Sequence, residues 1–413
     1  MEKRRVVVTG LGAITPLANN VEETWLGLCE GKSGISRVES FDTTDIASKI
    51  AGQIRNFNIL DYISKKEARR MDPYVHYALA ASIQAMQDSK LNPKYPEKLG
   101  IITGTGIGGM QTFEKQTEVF LKQGPRKISP FFIPMMISNM GAGQLAIYFK
   151  AKGVNFNVVS ACASSANAIG EAYRAIKFGA VDAVIACGTE AAITPLTLAG
   201  FSIMKALSKR NDSPETASRP FDKERDGFVL SEGAATLILE EYESARNRGA
   251  RIYAELVGYG ATSDAFHMTM PPPDAEGGTR AMNNAIKNAN ISPADIQYLN
   301  AHGTSTPLND KSETKAIKTV FGDYAYKIKI NSTKSMLGHS LGATGALESL
   351  VTVKSIQEQK IHPTINLTHP DPECDLDYTP GETIPLDIQY AMTNSFGFGG
   401  HNAVLIFKKY EEE

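Results

Sequence analysis

The chain has 413 residues, enough to bury a large core and to form two or three domains, or two closely packed halves. An apolar share of 42% and a charged share of 21% are ordinary for a globular protein. A net charge of −2 excludes any global electrostatic pull toward nucleic acid or membrane, so a charged partner must be met by a local patch.

The opening Met1-Glu2-Lys3-Arg4-Arg5 runs straight into Val6-Val7-Val8, with Gly10 and Gly12 close behind. That apolar run is too short for a signal-peptide core, and no stretch is long enough to span a bilayer. The expected location is the cytoplasm or, for a processed form, an organelle matrix or stroma. Short β-branched runs over 5–9, 100–103, 156–159 and 183–186 predict buried strands, and Ala-rich segments over 77–89 and 163–178 predict helices between them. The alternation returns with a strand over 252–261, a helix over 278–289, a strand over 296–300 and a helix over 311–321. This order predicts an α/β fold whose sheet is flanked by helices. Its return suggests a duplicated architecture, one half over 1–250 and the other over 251–413, broken in the charged stretch near 242–251. The polar segment 209–225 reads as a surface excursion, and Pro271-Pro272-Pro273-Asp274 as a rigid loop.

After the second predicted strand comes Gly104-Thr105-Gly106-Ile107-Gly108-Gly109. It has the GxGxxG spacing of a dinucleotide-binding turn, but the acidic residue expected about twenty positions on is absent, and the region around Glu118 reads as helical. A nicotinamide oxidoreductase is therefore not expected.

The four cysteines, Cys29, Cys162, Cys187 and Cys374, form no CxxC pair, so no zinc site is predicted. Cys162 follows the third strand and opens a helix of small residues, Ala163-Ser164-Ser165-Ala166-Asn167-Ala168. A helix N-terminus stabilises a thiolate and offers free N–H groups to an oxyanion. Taken alone, the segment fits a packed core cysteine equally well. Two of the seven histidines have unusual neighbours. His302 ends a predicted strand in Asn300-Ala301-His302-Gly303-Thr304, where an α/β fold displays reactive groups. His339 opens a second small-residue helix in Gly338-His339-Ser340-Leu341-Gly342-Ala343. The helix dipole and a nearby Lys334 would both hold its imidazole neutral. A last glycine-rich loop, Ser395-Phe396-Gly397-Phe398-Gly399-Gly400-His401, can aim backbone N–H groups, although an ordinary turn would look the same.

Together these segments resemble the 3-oxoacyl-(acyl-carrier-protein) synthase family, and within it most closely the type II branch. The resemblance rests on ACASS around Cys162, NAHGTSTPLND around His302, STKSMLGHSLGATGALES around His339, NSFGFGGHN around Phe396, VVVTGLGAITPLA near the N-terminus and RPFDKERDGFVLSEGA over 219–234. It runs nearly end to end, and the joint order of the motifs is far more specific than any one of them. One departure is Ser160, where relatives often carry Thr.

The resemblance implies a thiolase fold with two duplicated halves in five αβαβα layers, and a homodimer. It implies decarboxylative Claisen condensation, with the acyl group held on Cys162. His302 and His339 would act as N–H donors, and Lys334 would orient the His339 region and bias its protonation. It implies an oxyanion hole from the N–H groups of Cys162 and Phe396, with Phe396 also the gate. Ile107 would meet the acyl chain, and Thr304, Thr306 and Phe398 the substrate arm. Phe132 and Ile133 would reach the acyl pocket of the other subunit. An acidic acyl carrier protein would dock on Lys65, Lys66, Arg69, Arg70, Arg126, Lys127 and Lys205. No cofactor is required, but Asn300, Glu348 and Asn394 form a candidate site for Na+ or K+, with pairing to Lys334 an alternative for Glu348. His401 is expected to be a loop residue near the site. A thiolase-like acyltransferase would share the fold but needs a second cysteine in the last loop, which is missing here. A non-catalytic subunit of chain-length-factor type would lack Cys162.

Overall fold

Ten strands form one continuous sheet in the computed structural model, which describes residues 4–412. In chain order they are β1 (Val6–Ile14), β2 (Leu99–Gly104), β3 (Asn155–Val158), β4 (Ala183–Glu190) and β5 (Gly233–Glu241). The series continues with β6 (Ala254–Ser263), β7 (Tyr298–Asn300), β8 (Lys329–Asn331), β9 (Tyr390–Gly397) and β10 (His401–Lys408). Read outward from the middle, the order is β1-β5-β4-β2-β3 on one side and β6-β10-β9-β7-β8 on the other. In each half the two inner ladders are antiparallel and the two outer ones parallel. The same topology has thus been laid down twice. A short antiparallel seam, Val7 with Glu255 and Val8 with Ala254, joins the halves.

Five helices complete the layers: α1 (Pro73–Ser89), α2 (Ser164–Lys177), α3 (Glu276–Ala289), α4 (Pro307–Phe321) and α5 (Thr344–Glu358). Helix α1 starts earlier than its Ala-rich stretch suggests, because Asp72 caps the N–H of Tyr74 and Pro73 takes the first helical position. It covers the outer face of the first half-sheet, where Leu79 and Ala81 meet Ile101, Ile185 and Ile238. Helices α3 and α4 cover the second half-sheet, through Met282 and Ile317 against Leu299, Ile330 and Val404. Between the half-sheets lie α2 and α5, with Ile169 and Leu350 packed on Leu237, Leu239, Leu405 and Phe407. These are the five αβαβα layers of the thiolase fold.

The central helices carry small residues because backbone meets backbone there. A Cβ on Gly345 would lie 2.6 Å from the Ala166 nitrogen, and one on Gly188 would lie 2.6 Å from the Ala346 Cβ. Neither distance leaves room for a methyl group without moving a buried helix.

Segment 209–225 is not simply a surface excursion. Ser218 through Asp222 and Arg225 are buried, and ion pairs Arg219–Asp222, Arg225–Asp310 and Arg225–Asp371 tie the segment under α4. Polar composition suggested a solvated loop; pairing of its charges is what lets it go inside. Among the described residues, no helix is long and apolar enough to cross a membrane.

Candidate active site

The nucleophile candidate is built by a sharp strand-to-helix turn. After β3 the backbone enters the left-handed region at Ala161 (φ 50°), and Cys162 lies in a single 3-10 turn just before α2. The Ser164 hydroxyl locks the turn by donating to the Ala161 carbonyl (2.6 Å) and accepting from the Ser160 N–H (2.9 Å). A left-handed alanine is strained, and such strain is kept where the surroundings over-determine it. The backbone N–H groups of Phe398 and of Cys162 itself lie near enough to the Cys162 sulfur to favour its ionised form. Burial nevertheless pushes the thiol up to about 11, while Lys334 and the Phe398 N–H pull it partly back. The expectation of a helix-stabilised thiolate is corrected accordingly: desolvation outweighs the helix terminus, and the resting group is a thiol.

The N–H beside the sulfur is thus that of Phe398, whereas Phe396 was the residue expected there. Phe396 belongs to β9, and its ring stands 5.9 Å from that of His302, packed toward Gly278 on α3. Phe398 lies beyond the strand, lines the cavity as Phe396 does, and brings its N–H to the sulfur. Gly397 makes the approach possible: a Cβ there would come within 2.8 Å of the Ser160 carbonyl and 3.1 Å of the Cys162 nitrogen.

The two halves bring His302 and His339 to this sulfur. Ligating atoms of Cys162, His302 and His339 all lie within 4.8 Å of one another, and the two imidazoles are 5.4 Å apart, edge to face. Both histidines are held well below the ordinary histidine range by burial first and Lys334 second, with His339 adding to the effect on His302. Both are therefore neutral. The Lys334 ammonium donates to the His302 carbonyl (2.6 Å) and to Glu348 (2.5 Å), and stands 3.3 Å from His302 Nδ1. A cation can only donate, so His302 Nδ1 is the acceptor and its proton sits on Nε2. His339 Nδ1 meets the Thr344 hydroxyl at 3.0 Å, a partner able to donate or accept, and its buried Nε2 has no protein partner.

These groups share one cavity of about 490 Å³. Ile107, Thr304, Thr306, Phe398 and Lys205 line it with the three reactive residues, and the Thr304 and Thr306 hydroxyls are 2.9 Å apart. Sequence reasoning missed Glu313. Buried on α4, it accepts the N–H groups of His302 and Gly303 (both 2.8 Å) and the Asn394 amide (3.0 Å), and so fixes the turn that presents His302. The signal was available, since Asp310, Glu313 and Ile317 fall on one face of a helix, which puts two carboxylates on its apolar side.

Glu348 pairs with Lys334 through Oε1, while burial pushes its carboxyl up to about 8. Its Oε2, Asn300 Oδ1 and Asn394 Oδ1 are all buried acceptors with no partner in the protein. Three hard oxygens suit a cation of the Na+ or K+ type.

The basic residues expected to dock a carrier protein fall in two exposed segments, Lys65, Lys66, Arg69 and Arg70, and Arg126 and Lys127. The Arg70 guanidinium lies 4.9 Å from the Phe131 ring, which brings the two segments together. Phe132 and Ile133 sit on a short helix outside the lining of their own cavity. His401 is exposed at the start of β10 and takes no part in the cluster.

A buried thiol under two amide N–H groups, facing two neutral imidazoles in a duplicated five-layer fold, defines a condensing enzyme of the thiolase-fold class. The comparisons make the assignment particular. The family models for the beta-ketoacyl synthase N-terminal and C-terminal domains match residues 3–245 and 253–368. The 3-oxoacyl-[acyl-carrier-protein] synthase 2 of Synechocystis is 53% identical over 413 residues, covering 100% of this chain and 99% of that protein. The protein of the same name from Staphylococcus aureus strain COL is 52% identical over 412 residues, covering 99% of each. A beta-ketoacyl synthase structure from Burkholderia phymatum superposes with a TM-score of 0.93 at 36% identity, covering 99% of this chain and 100% of that one. A type II polyketide ketosynthase, solved with its acyl-carrier protein and a bound hexaketide, gives 0.91 at 36% with the same coverage. The chain belongs to the beta-ketoacyl synthase family and is an acyl-transferring condensing enzyme.

Proposed function

We propose that this chain condenses malonyl-acyl carrier protein with an acyl group held as a thioester on Cys162, giving 3-oxoacyl-acyl carrier protein and CO₂ in fatty acid elongation. The observation that carries the reading is the convergence of Cys162, His302 and His339 within 4.8 Å.

In the first half-reaction the Cys162 sulfur attacks the acyl thioester, forming one thioester as another breaks. Its proton goes to His339 Nε2, since the Thr344 hydroxyl tolerates either tautomer, and passes on to the departing carrier thiolate. His302 cannot take this part, because Lys334 commits its Nδ1 and leaves Nε2 protonated. In the second half-reaction the malonyl C–CO₂ bond breaks and its electron pair becomes an enolate. His302 Nε2–H and, in its other tautomer, His339 Nε2–H hold the enolate oxygen. The carbanion attacks the acyl carbonyl, whose oxyanion falls between the N–H groups of Cys162 and Phe398. Collapse then expels Cys162 as a thiolate, which takes up a proton from solvent to restore the resting thiol. Each such donor typically lowers the barrier by about 3 kcal/mol.

Three further parts belong to the same reading. The acidic carrier docks on the basic segments that meet at Arg70, with Lys205 at the cavity wall. Two copies pair through the open edge of β3, where Phe156, Val159 and nearby Ile147 are exposed, and Phe132 and Ile133 then close the partner's acyl pocket. Na+ or K+ binds the unpartnered oxygens of Asn300, Glu348 and Asn394 and supplies positive charge there. A rise in melting temperature with KCl or NaCl, but not with choline chloride at equal ionic strength, tests this last point. Relatives from bacteria support a location in the cytoplasm, or in an organelle matrix or stroma.

The test is condensation of defined acyl-carrier proteins with malonyl-carrier protein. Wild type should condense, whereas Cys162→Ala should lose condensation but still release CO₂, because the enolate is held by the histidines. A wild-type protein that neither acylates Cys162 nor condenses would refute the proposal.

A further inference from the structure

The GxGxxG loop does close around an acidic group, but one from within the chain. Glu190, at the end of β4, is fully buried. Its Oε2 accepts the N–H groups of Gly106 (2.7 Å) and Gly342 (3.0 Å). Its Oε1 accepts the Thr105 hydroxyl (2.9 Å) and the N–H groups of Ile107 (3.2 Å) and Gly108 (3.3 Å). Every neighbour donates, and no lysine or arginine pairs with it among the described residues. Burial raises the Glu190 carboxyl, and these donors pull it back toward the ionised form. Four backbone N–H groups and one hydroxyl thus converge on this carboxyl, the donor set a nest offers an anion.

One of those amides has a particular origin. Ser340-Leu341-Gly342-Ala343-Thr344 repeats Ser160-Ala161-Cys162-Ala163-Ser164 in the other half. Leu341 has φ 45° where Ala161 has 50°. The Ala343 N–H donates to the Ser340 carbonyl at 2.9 Å, as Ala163 does to Ser160 at 3.0 Å. A helix follows each turn, α5 and α2. Gly342 is thus the counterpart of Cys162, and its N–H is the counterpart of an oxyanion donor. The Glu190 carboxylate occupies the position, relative to Gly342, that an acyl oxyanion would take at Cys162. No side chain fits at Gly342, because a Cβ would lie 2.1 Å from the Gly106 nitrogen. The loop is held between both turns: a Cβ on Gly106 would stand 3.5 Å from the Gly342 nitrogen and 3.6 Å from the Ala161 carbonyl. Ile107, at the tip of this loop, faces the cavity beside Cys162.

We propose that Glu190 is a positioning residue for acyl-chain selection, whose carboxylate fills the duplicated amide cradle and thereby sets where Ile107 stands against the acyl chain. Glu190 reaches the chain only through Ile107. A fixed charge here also opposes ionisation of the Cys162 thiol, which gives a second readout. Glu190→Gln keeps the shape but turns an N–H₂ toward N–H donors, so the loop must shift. The proposal rests on the condensing activity given above.

The experiment measures kcat/KM for a long and a short acyl-carrier protein in wild type, Glu190→Gln, Thr105→Val and Ile107→Ala. It also measures the rate of Cys162 alkylation by iodoacetamide against pH. Glu190→Gln should change the long-to-short ratio by about tenfold or more, the scale on which pockets discriminate single methylenes. The same change made on Ile107→Ala should leave the ratio where Ile107→Ala puts it, since residues that act through one another are not additive. Cys162 should be alkylated faster in Glu190→Gln at a given pH. Thr105→Val removes one donor but keeps the charge, so it should shift the ratio in the same direction and leave alkylation unchanged. A folded Glu190→Gln with the wild-type ratio overturns the proposal, as does an effect fully additive with Ile107→Ala. If Glu190→Gln does not fold, Thr105→Val decides: an altered ratio supports the proposal and an unaltered one overturns it. A wild type that fails to condense refutes the broader reading instead, and the alkylation profiles still report on the charge.

Discussion

Lys334→Met is the sharpest perturbation of the site. The ammonium is 2% exposed and holds two partners at once, the His302 carbonyl at 2.6 Å and Glu348 at 2.5 Å. Removing it strands Glu348, whose second oxygen already lacks a partner. Breaking a buried pair from one side costs about 3–5 kcal/mol, whereas removing both charges can be nearly neutral. The double variant Lys334→Met/Glu348→Gln should therefore regain most of the loss, read from denaturant or thermal unfolding. The chemistry should change as well. Lys334 is the second cause, after burial, of the low pKa values of His302 and His339, so both should rise in the single variant. A depressed histidine stays neutral as pH falls below its ordinary 6.5, so wild-type CO₂ release from malonyl-carrier protein should be flat from about pH 8 down to 6. In Lys334→Met an acid limb should move up into that window. The pH-independent rate should also fall, by about a hundredfold, as His302 loses the donor that fixes its tautomer. A stability loss under about 1 kcal/mol, or a pH profile that superimposes on wild type, would refute the reasoning.

Gly397→Ala should lower condensation by about 10²-fold or more with little change in carrier affinity, because its Cβ would collide with the Ser160 carbonyl and Cys162 nitrogen and push the Phe398 N–H away from the sulfur; an unchanged kcat would contradict the proposed donors. Alkylation of wild-type Cys162 should keep rising with pH past 9 and show no plateau near neutrality, since burial raises the thiol toward about 11. Glu232 is pushed by burial to about 7, above the ordinary 4.5 of a glutamate, so ionising it opposes folding. Glu232→Gln should then match wild type below about pH 4.5, gain stability as pH rises, and level off above about 7 with an advantage of about 3 kcal/mol; a pH-independent difference would exclude the mechanism.

Local chemistry wrote much of the site into the sequence. A cysteine opening a small-residue helix, and two histidines set among glycine, serine and threonine, were readable as reactive groups because each departs from what a core helix or a solvated face requires. The two phenylalanines of Ser395-Phe396-Gly397-Phe398-Gly399 were not separable that way. They are alike in composition and two apart. Which one offers its N–H depends on where the β9–β10 ladder ends, and the last pair in register is Gly397 with His401. The thiol was misread for a related reason: the helix terminus is visible locally, but the burial that overrides it comes from layers far away in the chain.

Sequence alone determined the α/β class and the doubled order of strands and helices, and it singled out Cys162, His302 and His339. Residue type and spacing act over a few positions, and that range is enough for such features. Only the tertiary structure decided that the two halves set Cys162 and the histidines within 4.8 Å, and that Glu313 and Glu190 hold the surrounding turns. Buried carboxylates take their meaning from amide donors that lie close in space and up to 152 residues away in the chain, as Gly342 does for Glu190. No local pattern encodes that distance.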